Sequence, residues 1–317
     1  MNSAYPVAIQ APDIDRYREG NTGLEYVSTF VGAATGPHVL LAAVVHGNEL
    51  CGALALDFLL RAGLKPVRGS LTFAFMNPAA YALFDAADPD ATRWVDEDFN
   101  RVWDIAVLDG PRNSIELARA RALRGLIDRV DFLLDIHSMQ HPTEALTICG
   151  PTHKGRALAR AIGFPAFVVA DEGHAAGRRM RDYGAFGDES SPKNALLVEC
   201  GQHWSSSSEQ VAREMALRFL AHFDMLDPGF LRAHLPTAPL PRQRVVEITW
   251  PITISADRFV FAAEYKGMEV VPRAGTLLGY DGENEVRTPY DNCVLIMPSR
   301  RLWKGQTAVR LGRFVDD

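Results

Sequence analysis

From about residue 37 to 225, short apolar runs alternate with longer amphipathic stretches. This is the pattern of an α/β domain built on a mostly parallel or mixed sheet flanked by helices. Residues 39–45 (VLLAAVV) predict a buried strand, and residues 50–61 (LCGALALDFLLR) predict a helix packed on the sheet. The next strand is expected over 71–76, where Asn77-Pro78 stops it. An acidic loop and a helix over 114–129 follow. Further strands are expected over 132–137, 146–149, 166–170 and 195–200, with a helix over 153–162 between two of them. The last helix of this region is expected over 209–225, opened by Ser206 and Glu209 as a capping box.

The texture then changes. Pro228, Pro236, Pro239 and Pro241 punctuate a stretch with little periodicity, which reads as a linker. Beyond it, RVVEITWPITI, RFVFAAEY, TLLGY, CVLIMP and TAVRLGRF are short β-rich runs separated by Gly, Asp and Asn. The expected division is therefore a larger α/β domain over 1–235 and a small all-β domain over 240–317.

Composition narrows the function. With 33 Lys+Arg against 39 Asp+Glu, the chain has no general attraction for nucleic acid or an anionic membrane surface. Cys51, Cys149, Cys200 and Cys293 form no C-x-x-C pair and lie in or beside apolar sequence, as free thiols in a reducing compartment do. No apolar run reaches the roughly 18 to 20 residues of a membrane span, and the first twenty residues lack a signal-peptide pattern. A cytoplasmic location is expected. Symmetric homo-oligomers are common among soluble proteins, and the oligomeric state stays open.

Four places carry candidate chemistry. His46-Gly47-Asn48-Glu49 follows a buried strand directly, where ligands converge in open α/β sheets. The same H-x-x-E spacing recurs at His141 and Glu144, but that copy begins four residues past a strand end and contains Pro142. Asp135 and His137 close the strand FLLDIH on one face, an arrangement that suits either a core carboxylate paired with a base or the orienting partner of a metal-bound imidazole. Glu199 ends the apolar strand ALLVEC, where a buried carboxylate with a raised pKa suits general-base work. Together, His46, Glu49 and His137 suggest three zinc ligands with a fourth position open. The loop 91–101 holds Arg93, Asn100 and Arg101, fit to grip a carboxylate or a developing oxyanion, while Asp96, Glu97 and Asp98 read as a solvated acidic stretch.

HGNE after a strand, DEDFNR preceded by Thr92-Arg93, the D-x-H of LLDIHS and LLVECG together resemble the succinylglutamate desuccinylase and aspartoacylase family of zinc carboxypeptidase-like amidohydrolases. The resemblance covers most of the chain, including the C-terminal β domain after a linker. It implies one Zn²⁺ per chain held by His46, Glu49 and His137, with Glu199 as general base. It also implies that Arg93 polarises the scissile carbonyl and that Asn100 and Arg101 bind the substrate carboxylate. The implied substrate is a small N-acyl amino acid.

Two departures bear on specificity. Family members acting on acidic acyl chains use a further basic residue upstream of the catalytic glutamate, and this segment offers Arg178, Arg179, Arg181 and Lys193 without a clear match. A substrate-contacting tyrosine of the β domain corresponds either to Tyr290 or to no residue, Tyr290 being otherwise a surface tyrosine after Pro289. The stretch 173–187 (GHAAGRRMRDYGAFG) reads equally as a mobile lid and as a solvated loop. His38, His153, His203, His222 and His234 read as ordinary core or surface residues. Competing functions are a zinc carboxypeptidase for short peptides and a non-catalytic metal- or ligand-binding relative. A rival metal pair, His137 with His141, requires a helix at the strand end.

Overall fold

A computed structural model describes residues 5–173 and 176–315. Its main sheet holds eleven strands. In chain order they are β1 (Val27–Val31), β2 (Ala34–Ala43), β3 (Arg68–Phe75), β4 (Phe132–Met139), β5 (Leu146–Ile148), β6 (Phe167–Ala170), β7 (Asn194–Gln202) and β8 (Arg244–Thr253), joined by three C-terminal strands described below. The spatial order starts β1-β3-β2-β4-β7-β5-β6-β8. Strands β3, β2, β4 and β7 are parallel, β5 is antiparallel to β7, and β5, β6 and β8 are parallel to one another.

Alternation along the strands builds a core on each face. In β2, Val39, Leu41 and Ala43 join a cluster with Leu50, Leu56, Leu217 and Phe219, which come from the helices Leu50–Arg61 and Ser206–His222. Leu40 and Ala42 point the other way, toward Leu117, Leu123 and Leu126 of the helix Ile115–Ile127. Strands buried on both faces read as continuous apolar runs, which is why these strands were legible.

The boundaries differ from expectation for local reasons. β2 begins five residues early because its first residues are exposed and carry no apolar signal. The helix expected from 209 begins at Ser206, capped by Ser205, whose side chain accepts from the Ser207 amide; Ser206 is therefore the first helical residue and not the cap. β1, an edge strand antiparallel to β3, precedes the region in which strands were expected. Within the expected linker, Pro228–His234 is a helix, with Asp227 accepting from the amides of Gly229 and Phe230.

The C-terminal part is β-rich as expected, and its strands continue the main sheet. They are β9 (Phe259–Phe261), β10 (Val270–Val271), β11 (Leu277–Asp281), β12 (Asn284–Arg287), β13 (Cys293–Ile296) and β14 (Thr307–Val315). β14, β13 and β10 extend the sheet antiparallel beyond β8, while β12, β11 and β9 form a separate three-stranded sheet. The main sheet therefore carries C-terminal residues toward the carboxyl ends of β4 and β7. Among the described residues no helix is long and apolar enough to cross a membrane.

Candidate active site

Beyond Ala43 the chain passes through Val44 and Val45 to His46. Gly47 packs so closely against the neighbouring loops that a Cβ would lie 2.4 Å from the Ala80 carbonyl carbon and 2.5 Å from the Thr92 oxygen. Only glycine fits there. Its amide donates to the Arg93 carbonyl at 3.0 Å, tying the two motifs together through the backbone.

Glu49 occupies the N-cap position of the helix Leu50–Arg61 without capping it. Its carboxylate is committed elsewhere. His46 Nδ1 lies 2.7 Å from Oε1 and His137 Nδ1 lies 2.8 Å from Oε2. Arg93 Nη1 donates to Oε1 at 2.9 Å and the Ser138 amide to Oε2 at 3.2 Å. Candidate ligand atoms of His46, Glu49 and His137 all lie within 4.8 Å of one another, and all three residues are buried. The outer nitrogens face carboxylates: His46 Nε2 is 2.9 Å from Asp98, and His137 Nε2 is 3.0 Å from Asp135 in an ion-pair contact that is not aligned as a hydrogen bond. Carboxylates behind metal-binding imidazoles fix ring orientation and basicity.

Burial works against the charges of this cluster, and mutual attraction overcomes it. Burial alone would raise Glu49, but the charges of His46 and His137 hold it well below the usual carboxylate range. Burial would lower His137, yet Asp135 and Glu49 hold it well above an ordinary imidazole. Asp98 is likewise held low by His46, Arg101 and Arg93 against the effect of burial.

Glu199 sits on β7 as the register partner of His137 on β4. Its Oε2 is buried with no hydrogen-bond partner. Burial pushes its carboxyl up to about 8, with His137 and Arg93 pulling down and Glu49 and Asp135 pushing up. Both residues line one cavity with His46, Glu49, Arg93, Asn100 and Arg101.

A sequence profile of the succinylglutamate desuccinylase/aspartoacylase catalytic domain matches residues 35–223. The chain belongs to this family. The fold agrees. The succinylglutamate desuccinylase of Vibrio cholerae is similar at 19% identity over 92% of this chain and 86% of that one, with a TM-score of 0.69. Murine aminoacylase 3 is similar at 17% identity over 90% and 97%, TM-score 0.61. The ectoine utilization protein EutE of Ruegeria pomeroyi, in a product-bound structure, is similar at 17% identity over 90% and 88%, TM-score 0.59. No curated protein matches in sequence.

The two-histidine, one-carboxylate donor set fits a zinc site of this family, and all three residues line the same cavity. The rival pair His137 and His141 lacks its helix, because β4 runs extended through His137 to Met139. His141 Nδ1 instead meets the Tyr5 hydroxyl at 3.0 Å, and Glu144 is exposed.

The loop 91–101 is not a solvated acidic stretch. The buried Glu116, on the helix Ile115–Ile127, accepts from the amides of Val95, Asp96 and Glu97 and from Asn77 Nδ2. Glu97 accepts from the Ser114 hydroxyl, and Asp96 from the Ile115 amide. Asp98 caps the short turn Phe99–Arg101 and faces His46 and Arg93. Asn100 Oδ1 accepts from the Met180 amide, and Arg101 Nη1 donates to the Asn100 carbonyl. Burial lowers Arg101 to about 10, which leaves it charged at neutral pH.

Tyr290, named above as a candidate substrate contact, is not among the residues that line this cavity. Its hydroxyl meets Thr249, its ring lies under Arg313 at 3.8 Å, and it lines a different depression. In the stretch 173–187, residues 174–175 lie outside the described residues. Of the rest, Met180, Arg181, Tyr183 and Phe186 are buried, and Arg179 is paired with Asp171 and Asp182. Arg179, His203, Arg301 and Arg310 also line the cavity. The sequence reads His203 as an ordinary core or surface residue and singles out neither Arg301 nor Arg310, whose only signal is a basic residue in or beside a β run.

Proposed function

We propose that this protein is a zinc-dependent hydrolase that cleaves the amide bond of a small N-acyl amino acid, releasing a carboxylate and an amine. The observation that carries the reading is Glu199, a buried carboxylate with an unpartnered oxygen that shares one cavity with the His46, Glu49 and His137 donor set. A non-catalytic metal binder has no need of it. Zinc held by these three residues supplies Lewis acidity toward the carbonyl and the attacking water.

The chain's own residues do the rest. Glu199 takes a proton from the attacking water and passes it to the leaving amine, a task suited to a carboxyl whose pKa lies near neutrality. Arg93, held by Glu49 and Asp98, presents its guanidinium to the oxyanion that develops on the carbonyl. Arg101 and Asn100 hold the substrate carboxylate. The cavity has a free volume of about 130 Å³, small beside the roughly 300–1,000 Å³ of clefts for drug-sized ligands.

The test is hydrolysis by the zinc-loaded protein of a panel of N-acyl amino acids and short peptides, read as released amine. Turnover of the acyl amino acids above the peptides is expected. Turnover of peptides alone would replace this reading with a carboxypeptidase, and no turnover of either would return it to a binding protein. The division into a catalytic part over 1–235 and a β part over 240–317 belongs to the same proposal.

A further inference from the structure

Between Arg179, which lines the cavity, and the start of β7 at Asn194, the chain folds around a charge from elsewhere. Residues 188–191 turn back on themselves. Asp188 Oδ1 accepts from the Ser190 amide and hydroxyl at 2.9 and 2.8 Å, and the Ser191 amide donates to the Asp188 carbonyl at 3.1 Å. Four backbone carbonyls of this segment then converge on one point, and the ammonium of Lys154 occupies it. Lys154 Nζ donates to the carbonyls of Ala185, Asp188, Ser191 and Lys193 at 3.0, 2.5, 3.1 and 2.6 Å.

The contact is reciprocal. Lys154 is the second residue of the helix His153–Ile162, whose cap Thr152 accepts from the Gly155 amide at 3.2 Å. Glu189, from the same segment, accepts from the free amides of His153 and Lys154 at 2.8 and 3.3 Å, where the helix dipole favours a negative charge. Asn194 Nδ2 donates to the Lys154 carbonyl at 2.8 Å. The segment thus gives a carboxylate to the helix amides and takes an ammonium onto its own carbonyls.

An ammonium has three protons, and four carbonyls lie within reach of this one. An excess of acceptors over protons is the arrangement of a coordination shell, and rings of backbone carbonyls hold K⁺ in the same way, by replacing its hydration shell. We propose that residues 185–193 form a monovalent-cation site, which the chain fills with its own Lys154 ammonium in place of a K⁺ or NH₄⁺ ion. Holding the segment between Arg179 and β7 then needs no bound ion. This site is independent of the hydrolase reading.

The experiment is urea unfolding of the zinc-loaded protein in KCl, in NH₄Cl and in tetramethylammonium chloride, a bulky cation with no N–H, at equal ionic strength. Lys154→Ala empties the cage, and Lys154→Met fills it with an uncharged stem. In tetramethylammonium both variants should unfold roughly 0.5–1 M urea below wild type, the scale of a lost charge-assisted hydrogen bond. KCl and NH₄Cl should return Lys154→Ala roughly halfway to wild type, as an ion bound by the folded state alone does. They should leave Lys154→Met where it was. A Lys154→Ala variant that gains no more than Lys154→Met, or that folds in none of the three salts, overturns the cation site. Trace acetylation of the unaltered protein gives a second reading that needs no variant. Lys154 should react at least about tenfold more slowly than the exposed Lys65 and Lys304, because its amine is released only by local opening. Equal rates would overturn the proposal as well.

Discussion

His137 and Glu199 are register partners on the parallel strands β4 and β7, so a candidate metal ligand and the proposed base project side by side from one face of the sheet. Hydrogen bonds between two central strands hold that spacing, and a rigid sheet is a better mount for a reacting pair than a loop. Replacing Glu199 by Gln keeps the shape and removes the base. Turnover should fall by roughly 10²–10⁴-fold while zinc per chain is unchanged. Near-normal turnover in this variant would sink the assigned role.

His137→Ala should act on the other partner. The wild type purified without added metal should hold about one zinc per chain, and the variant should hold far less, since two protein ligands make a poor zinc site. Elemental analysis of both preparations decides it. A variant that retains its zinc would remove His137 from the ligand set.

Gly47→Ala tests the close approach behind the first motif. The added Cβ meets backbone atoms of Ala80 and Thr92 at 2.4 to 2.5 Å, and backbone has no rotamer by which to yield. A loss of about 1–3 kcal/mol of stability is expected, as for other overpacked sites. Turnover should fall as well, because the Gly47 amide positions Arg93 through its carbonyl. An unfolding curve and an activity assay that both match wild type would show that the contact is soft.

Glu116 lies outside the cavity yet organises the loop that carries Arg93, Asp98 and Asn100. Glu116→Ala leaves three backbone amides and Asn77 Nδ2 without their acceptor. Several kcal/mol of destabilisation is expected from groups of this kind, read as a lower urea midpoint. Unchanged stability would mean that water replaces the carboxylate there without cost.

His203 gives a pH dependence with a definite sign. Its folded pKa is depressed to about 3 by burial, whereas an unfolded imidazole titrates near 6.5. Below pH 6.5 the unfolded chain gains a proton that the folded ring does not, so this residue's contribution is intact above 6.5 and lost progressively as pH falls toward 3. Between pH 7 and 5 the loss from this group is about 2 kcal/mol. His203→Asn should shrink the drop in stability over that interval by a similar amount, measured by urea unfolding at both pH values. An identical drop in the variant would show that the ring is not buried neutral.

Much of the architecture was legible because it is local. Strands such as β2, β4 and β7 are buried on both faces and read as apolar runs, and the polar residues at their ends stood out against that background. His46, Glu49, His137 and Glu199 were conspicuous as costly polar positions in or beside buried strands. The edge strand β1 and the exposed start of β2 were invisible for the converse reason, since a half-exposed strand has little apolar signal.

By itself, the sequence determined the alternation of strands and helices and the placement of the polar motifs at strand ends, because each follows from periodicity or from a residue's own chemistry. Only the tertiary structure decided which distant side chains share the cavity. It turned Asp98 from a solvent-facing acid into the partner of His46, made Glu116 the acceptor for the loop amides, brought Arg301 from the segment between β13 and β14 and Arg310 from β14 to the cavity, and placed Tyr290 on a different depression. The physical reason is that charge pairing and desolvation depend on separation in space, and the main sheet sets that separation by placing β8, β14 and β13 next in line after β6.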